Sequence, residues 1–321
     1  MNRKVFLFLV SIALSAVVIV LVLLGCSQNP EQTEVFNVFS GADCISPTLV
    51  SVRSESGAII RLEFDEPVKV YAKSFSPFSA RADGRFVYVT LSRTLLPGKS
   101  SVVEGRVKDY SGNTTGLAVS VWGFNPRLPE RIINEFTTKG TAKSPDRTEL
   151  RVLSDGNLEG LTLYCGIPGD CDAFVMLGDL EVERDDMVVI WWTESLPSDA
   201  PERLFGVFNV CAGTSADPSS NNGTLVLCDN PSLGAEVLDA VIYSNFSQSH
   251  EGFGTKTALQ RARWVIDSNA WKGDAIDCTS ATATRSVSRL PSGLDTDSSD
   301  DWFITITSGS TFGGSNTSGA L

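Results

Sequence analysis

The sequence predicts an all-β protein with two β-sandwich domains in tandem behind an export signal. Short segments of alternating apolar and polar residues recur about every ten residues from Pro47 onward, and turn-forming residues separate them. No long segment has a helical period, and the nearest approach is a short turn expected at "KTALQRARWVI", residues 256–266. The apolar content of 42% is sufficient for ordinary hydrophobic cores.

The first 25 residues have the composition of a secretory signal. Residues 2–4 read "NRK", residues 5–24 carry no charge, and Gly25 precedes Cys26. The ending "LLGC" resembles the lipobox of bacterial lipoproteins, although Leu24 is bulkier than the usual alanine or serine. This resemblance implies cleavage before Cys26, a diacylglycerol on its thiol and an acylated amino terminus. An uncleaved transmembrane anchor is the alternative, because twenty apolar residues are enough to span a bilayer.

A lipid on Cys26 predicts a location in the cell envelope with attachment to a membrane. Ser27 and Gln28 follow the cysteine, and by analogy with bacterial sorting this favours the outer over the inner membrane. Loss of Arg3 and Lys4 takes the net charge from −12 to −14. Phosphate contacts require clustered lysine and arginine, so a chain this acidic is not expected to bind nucleic acid. A protein or a glycan is the expected partner.

Six cysteines remain after Cys26, and an even number in an exported chain favours disulfides. Cys165 and Cys171 close a short loop, and Cys211 and Cys228 flank a largely polar stretch. Cys44 and Cys278 are then left for each other. Six cysteines allow fifteen pairings, so the connectivity stays open. A metal site is disfavoured because the chain has no C-x-x-C pair and a single histidine.

Residues 26–43 have the polar composition of a flexible tether, and the first sandwich domain is predicted at 44–124. Its strands include "GAIIRLEF" and "RFVYVTLS", both with alternating apolar residues. The segments "FDEPV" and "DYSGN" resemble the bacterial Ig-like modules of surface-layer and cell-envelope proteins. The matching residues are Phe64, Glu66, Pro67, Val68, Asp109, Gly112 and Asn113. The resemblance implies a spacer or a binding platform.

Two prolines in "FNPRLPE" predict a linker at 125–130, followed by a second all-β domain at 131–321. Its expected strands include "RIINEF", "RTELRVLS", "LEGLTLYCG" and the buried "MVVIWWTE". Two more are expected around a turn in "GTLVLCDNPSLGAEVLDAVIYSN".

This series of segments resembles the lamin-tail domain, an Ig-like sandwich. The matches follow the family's order along the chain: Ile133, Glu135, Phe136, Thr148, Glu149, Leu150, Leu158, Gly160, Leu163, Asp229, Gly234, Asp239, Tyr243, Ser286, Arg289, 295–302 and 313–316. The family's final Pro-Gly is Gly313-Gly314 here. The stretch is longer than a typical lamin-tail domain, and the surplus is expected in cysteine-bearing loops at 165–175, 194–224 and 246–282.

The residues do not indicate an enzyme. A Ser-His-Asp site needs a histidine base, and only His250 is available, in a polar run typical of an exposed loop. No G-x-S-x-G surrounds a serine, and no phosphate-binding glycine motif follows a strand and opens a helix. Paired carboxylates stay open, because any two acids can meet in a fold.

The acidic run "DTDSSDDW" is the most ligand-like feature. Asp295, Asp297 and Asp301 offer oxygens to a hard cation such as Ca²⁺, but the run lacks the glycine and distal glutamate of an EF-hand loop. A solvated turn is the favoured interpretation, so no metal and no cofactor beyond the lipid on Cys26 is expected.

Two further sets of residues are expected on the strands of the second domain. Glu135 and Glu149 are placed on neighbouring strands and are expected to pair with a basic residue such as Arg289. Trp191 and Trp192 are adjacent in a strand, so one is expected in the core and the other on the opposite face, available to a partner.

Together these features predict a non-enzymatic, membrane-anchored envelope lipoprotein that acts as a binding or scaffolding module. Two alternatives remain open. One is a surface adhesin for host matrix or glycan, and the other is an accessory binding subunit of an extracytoplasmic hydrolase.

Overall fold

The computed structural model describes residues 43–247 and 253–317. Strands dominate the described chain, so the all-β prediction is confirmed. The tandem arrangement of two Ig-like domains stays a prediction. Cys26, His250 and all but the last residue of the expected tether lie outside the described residues.

Six strands form two sheets in the N-terminal part of the described chain. One sheet has the strand order β1-β2-β4-β3 and the other pairs β5 with β6. These strands are β1 (Leu49–Ser56), β2 (Ile59–Phe64), β3 (Ser79–Asp83), β4 (Phe86–Thr90), β5 (Ser100–Lys108) and β6 (Thr114–Trp122).

The alternation read from the sequence matches the burial in β2 and at β4. Each buries every second side chain, because successive residues of a strand point to opposite faces. The residues expected on one face of each segment are all buried: Ile60, Leu62, Phe64, Val87, Val89 and Leu91. Residues 124–130, which contain the expected linker, form no strand.

The chain from residue 131 onward forms two large sheets and one small one. The seven-stranded sheet has the order β14-β15-β13-β8-β7-β19-β20, the five-stranded sheet has the order β11-β10-β16-β17-β18, and β9 pairs with β12. The strands are β7 (Arg131–Phe136), β8 (Arg147–Val152), β9 (Gly156–Asn157), β10 (Thr162–Ile167), β11 (Asp170–Met176), β12 (Glu181–Val182), β13 (Met187–Trp191), β14 (Arg203–Leu204), β15 (Val207–Cys211), β16 (Asn222–Cys228), β17 (Val237–Ser244), β18 (Ile276–Asp277), β19 (Val287–Arg289) and β20 (Trp302–Ile304).

One hydrophobic cluster contains side chains from both large sheets, which gives a sandwich-like arrangement. The seven-stranded sheet contributes Leu150 and Ile190, and the five-stranded sheet contributes Leu163 and Val241. Alternate residues of β8 and β13 therefore point away from this core. That outward face carries the polar residues described below.

The short turn expected at 256–266 is in fact a helix, α1 (Lys256–Asp267). The Thr255 side chain caps its first turn by accepting a hydrogen bond from the Ala258 N–H. Ala262 and Val265 place one face in the core. The segment is only 12 residues long and polar on average, so the helix was underestimated as a short turn.

The three segments expected to form cysteine-bearing loops contain regular secondary structure. Residues 165–175 lie largely in the β10–β11 hairpin, where Cys165 is in β10 and Cys171 is in β11. The segment 194–224 contains β14 and β15, and the described part of 246–282 contains α1 and β18.

By its internal contacts the described chain divides into two compact units. The first consists of residues 43–50, Leu62–Val89 and Glu104–Ala118, and the second consists of Ser51–Arg61, Thr90–Val103 and 119–317. Neither unit is one continuous segment. The predicted boundary at 125–130 stays a prediction.

Candidate binding site

The outward face of the seven-stranded sheet carries a group of polar and aromatic side chains. Strand β8 turns Leu150 and Val152 into the core, so Arg147 and Glu149 point outward. The register pairs Arg147 with Trp191 and Glu149 with Glu135 on the neighbouring strands. Two carboxylates therefore face each other beside a guanidinium and an indole.

Residues 311–316, here called the C-terminal strap, cover the two carboxylates. Thr311 donates from its backbone N–H to Glu135 Oε1 at 2.9 Å and from its hydroxyl to Oε2 at 2.8 Å. The Gly313 N–H donates to Glu149 Oε2, and Asn316 Nδ2 donates to the Arg289 carbonyl at 2.7 Å. Both glutamates are fully buried as a result.

Burial under the strap changes the acidity of Glu149. Desolvation raises the pKa of Glu149 to about 7, and the nearby Glu135 charge adds to this effect. Hydrogen bonds from Gly313 and from Asn134 Nδ2, at 2.7 Å, act in the opposite direction because they favour the ionised form. Glu149 therefore changes charge near neutral pH.

A cleft of about 300 Å³, here called the aromatic cleft, opens beside the strap. Its wall combines aromatic, aliphatic and polar side chains, as small-ligand sites commonly do. The lining consists of Arg147, Val189, Trp191, Asp199, Ala200, Pro201, Leu204, Val207, Asn209, Phe312 and Gly313.

Two aromatic rings hold Arg147 at the edge of this cleft. Its guanidinium carbon lies 4.8 Å from the centre of the Trp191 ring and 4.0 Å from that of Phe312. Burial lowers the pKa of Arg147, and the charges of Glu135 and Glu149 oppose that shift. Among the described residues no carboxylate forms an ion pair with Arg147.

The two tryptophans occupy opposite faces of the strand, as expected. Trp192 is buried in the core and donates from Nε1 to the Thr148 hydroxyl at 3.0 Å. Trp191 is half-buried and donates to Asn209 Oδ1 at 2.8 Å. The Asn209 amide in turn donates to the Pro201 carbonyl at 2.8 Å, so the indole is held in place at the cleft.

The β14–β15 hairpin forms one wall of the cleft through Leu204 and Val207. These residues pair with each other, which leaves Phe205 and Gly206 as a two-residue turn. Both have positive φ, 47° and 80°, as a type I′ turn requires. Phe205 is 96% exposed, so a bulky residue adopts a strained conformation with its ring in solvent. Strain of this kind clusters at functional sites.

Arg289 does not pair with Glu135 or Glu149, so that expectation is wrong. Its buried guanidinium instead contacts Asp295 at 2.8 Å, Asp239 at 3.5 Å and Asp301 at 3.6 Å. Its Nε also donates to the Ile133 carbonyl at 3.0 Å. Such a matched network holds strands and turn together.

The same contacts bear on the calcium site considered at Asp295, Asp297 and Asp301. Arg289 engages Asp295 and Asp301, while Asp301 also accepts the Thr296 N–H at 2.7 Å. Asp297 pairs with Lys272 at 3.2 Å. The carboxylates turn toward cations and donors of the chain itself, and this geometry does not favour a metal ion.

A different carboxylate cluster occurs in the first unit. Oxygens of Asp43, Glu66 and Asp109 lie within 4.8 Å of one another. Burial and the Asp109 and Asp43 charges raise the pKa of Glu66. Asp109 is buried, which disfavours its charge, but hydrogen bonds from Asn113 and Gly112 lower its pKa below the usual value. Its oxygens are thus committed to the turn, and calcium would need several further ligands.

The structure contains no disulfide among the cysteines that it describes. Cys165 and Cys171 lie on paired strands, one position out of register. Cys211 and Cys228 belong to different sheets, Cys211 to the seven-stranded and Cys228 to the five-stranded sheet. The pairings stay predictions.

A family model described as the TP_1001_2nd protein second domain matches residues 129–206 and 210–304. This is more than half of the chain. The chain belongs to the TP_1001_2nd family. The matched residues include most of the aromatic cleft, whereas Phe312 and Gly313 of the strap follow the match.

Among solved structures, a DUF4876 family protein from Bacteroides thetaiotaomicron is similar to this TP_1001_2nd family member. The identity is 13%, the TM-score is 0.35, and the match covers 85% of this chain and 94% of that chain. The search of curated proteins finds no match. Within the described residues, no helix combines the length and apolar character needed to cross a membrane.

Sequence reasoning found part of the site. It singled out Trp191, Glu135, Glu149 and residues 313–316, but it did not find Arg147, Asn209 or Phe205, nor that residues 311–316 cover the two glutamates. The available signal for Phe205 is a large apolar residue before glycine between two short strands, which is a hairpin-turn position.

Proposed function

We propose that this chain is a non-enzymatic envelope lipoprotein, anchored by a lipid on Cys26, whose second unit binds a glycan in the aromatic cleft. The observation that carries the binding proposal is the oriented Trp191 ring at the cleft wall. Asn209 holds the ring, and Arg147 stacks on it. An indole face suits the apolar face of a sugar ring.

Polar groups around the ring suit the hydroxyls of a sugar. The cleft offers the Asp199 carboxylate, the Asn209 amide and the Arg147 guanidinium within about 300 Å³. A few fixed polar groups in a mainly apolar wall orient a small ligand and give specificity. The volume lies at the lower limit for ligand sites and fits one or two sugar residues better than a long chain.

The binding test is a glycan array probed with the full-length protein in detergent micelles. We expect Trp191→Ala to weaken binding of the recognised glycan by about 30-fold, the usual scale for a central aromatic contact. Trp191→Phe retains a ring and should lose less. Phe246→Ala removes an exposed aromatic outside the cleft and serves as the control. No binding by the wild type, or equal binding by Trp191→Ala, contradicts the proposal.

Two orientations of the anchored protein distinguish an adhesin from a periplasmic module. Protease treatment of intact cells, followed by antibody detection of the second unit, separates them. Loss of the signal supports outward display and an adhesin. Protection until lysis supports a scaffold, or an accessory subunit of a hydrolase, inside the envelope. A known periplasmic protein must stay intact in the same cells.

A further inference from the structure

A second cavity adjoins the aromatic cleft and is bordered by two arginines that form no ion pair with the described residues of this acidic protein. Its volume is about 250 Å³. Arg147 and Arg285 border it together with the hydroxyl-bearing residues Ser144, Thr284, Ser308 and Ser310. None of the described residues that line it carries a carboxylate. We call it the arginine cavity.

Among the described residues, Arg285 forms no ion pair with a carboxylate. Its Nε is buried without a hydrogen-bond partner in the described part of the chain, and Nη1 donates to the Ser280 carbonyl at 3.0 Å. By contrast, Arg261 contacts Asp170 and Asp172 at 2.8 and 2.7 Å. Arg285 is half-exposed and pairs with no carboxylate of the described residues, so its charge is accessible to an anion from solution.

Arg147 reaches the same cavity from β8. Its Nε is also buried without a hydrogen-bond partner among the described residues. Glu135 and Glu149 act on its charge from below the strap, but their oxygens are bonded to Thr311 and Gly313. The charges of Glu135 and Glu149 therefore stabilise the Arg147 cation from a distance. Its N–H donors are not hydrogen-bonded to either carboxylate.

Backbone hydrogen bonds fix the chain segments that carry the cavity hydroxyls. The Ser308 N–H donates to the Thr284 carbonyl at 2.7 Å, which ties the two chain segments together. Ser308 has a φ of 60°, and Ser144 is held by a two-way backbone pairing with Thr141. Serine and threonine hydroxyls in fixed positions add donors around the two guanidinium groups.

We propose that the arginine cavity binds a tetrahedral oxyanion, the phosphate or sulfate ester group of a larger molecule. Two guanidinium groups and several hydroxyls supply donors from many directions. A phosphate offers three strongly accepting oxygens in three dimensions, whereas a carboxylate offers two in a plane. Arginine is preferred for such groups because its donors form a fixed fork.

This inference goes beyond the proposed glycan binding and stands without it. Arg285, Ser308 and Ser310 border the arginine cavity but not the aromatic cleft. Loss of glycan binding in Trp191→Ala and loss of anion binding in Arg285→Gln are thus separate results.

The test is calorimetric titration of the full-length protein in neutral detergent micelles, at pH 7 and low ionic strength. Sodium phosphate, sodium sulfate and sodium acetate are the probes. We expect phosphate or sulfate to bind one per chain and acetate to bind more weakly. Arg285→Gln should weaken the binding by about 10-fold or more, because it removes charge-assisted hydrogen bonds. Arg184→Gln changes an exposed arginine outside the cavity and should leave the affinity unchanged.

Arg285→Lys is a second variant in case Arg285→Gln does not fold. It keeps the positive charge and removes only the planar pair of guanidinium donors. Its affinity should fall by a few-fold. Glucose 6-phosphate and glucose 6-sulfate then show which ester the cavity prefers, and tighter binding of either supports the proposal. The proposal is overturned if neither inorganic anion binds, if acetate binds as tightly, or if both Arg285 variants bind like the wild type.

Discussion

Phe205 has a backbone conformation that bulky side chains rarely adopt. Its φ of 47° belongs to the left-handed region, which costs an ordinary residue about 1–2 kcal/mol. The ring is almost fully exposed, so burial within the chain does not offset this cost. The hairpin holds the ring beside the aromatic cleft, where it is open to another molecule.

Replacing Phe205 with asparagine should stabilise the protein. Asparagine tolerates positive φ, so we expect Phe205→Asn to raise the free energy of unfolding by about 1 kcal/mol. Urea denaturation followed by circular dichroism measures this. Phe246→Asn is the matched control, because Phe246 is also exposed but lacks a positive φ. An equal gain in both variants would show that relief of backbone strain is not the cause.

Two arginines show how differently one residue type is used in this chain. Arg289 is buried and satisfied by three carboxylates and a carbonyl, so its role is to join strands and a turn. Arg147 is stacked between rings and has no ion-pair partner among the residues described. The contacts of Arg289 serve stability, whereas Arg147 is the arginine that we propose takes part in binding.

The C-terminal strap turns two strand carboxylates into buried groups. The seven-stranded sheet would otherwise present Glu135 and Glu149 on its outer face. The strap supplies backbone and hydroxyl donors in place of water, which makes the burial tolerable. Stability of this element should therefore respond to pH.

Glu149 should make the protein less stable as the pH rises. Its folded pKa of about 7 lies above the usual value of 4.5, so the folded state binds more protons between these values. The stabilisation is complete below about pH 4.5 and is lost as the pH rises through 7, a change of about 3 kcal/mol. Asp146, with a pKa raised by burial to about 6, acts in the same direction.

The check is the free energy of unfolding at pH 5 and at pH 8. Glu149→Gln removes the titrating group and should reduce the difference between the two values by about 2.5 kcal/mol. Glu202→Gln, an exposed position, should preserve the wild-type difference. An unchanged difference in Glu149→Gln would assign the pH response to other residues.

The sequence could predict those secondary-structure elements in which apolar residues recur with a regular local spacing. β2 and β4 alternate strictly, and their burial follows that pattern. The helix α1 was underestimated because its 12-residue segment is short and polar on average. The strap has no period, and its hydrogen bonds to Glu135 and Glu149 span 176 and 164 residues. Contacts this distant leave no local signature in the sequence.

The candidate site could be predicted only where one residue carried the signal. The Trp191–Trp192 doublet indicated an outward indole because adjacent strand residues point apart. The approach of Arg147 to Phe312, and of Arg285 to the same cavity as Arg147, depends on tertiary packing. The arginine cavity therefore emerges only from the folded chain.

At the scale of the whole molecule, the proposed anchor makes a direct prediction. Cells grown with labelled palmitate should incorporate the label into the wild-type chain, and the mature protein should begin at Cys26. Cys26→Ser removes the thiol that the lipid requires and should incorporate none. Cys44→Ser keeps Cys26 and should be labelled like the wild type. Labelling of Cys26→Ser would exclude attachment at this thiol.

The position of the strap near the end of the described chain fixes when it can fold during synthesis. The ribosome makes residues 311–316 after every strand of the sheet that they cover, so Glu135 and Glu149 stay hydrated while the chain is still emerging. Long-range closure of this kind is slow relative to local pairing. Covering of these two carboxylates is therefore the last step in building this face of the sheet, and a chain truncated before residue 311 would leave both of them in water.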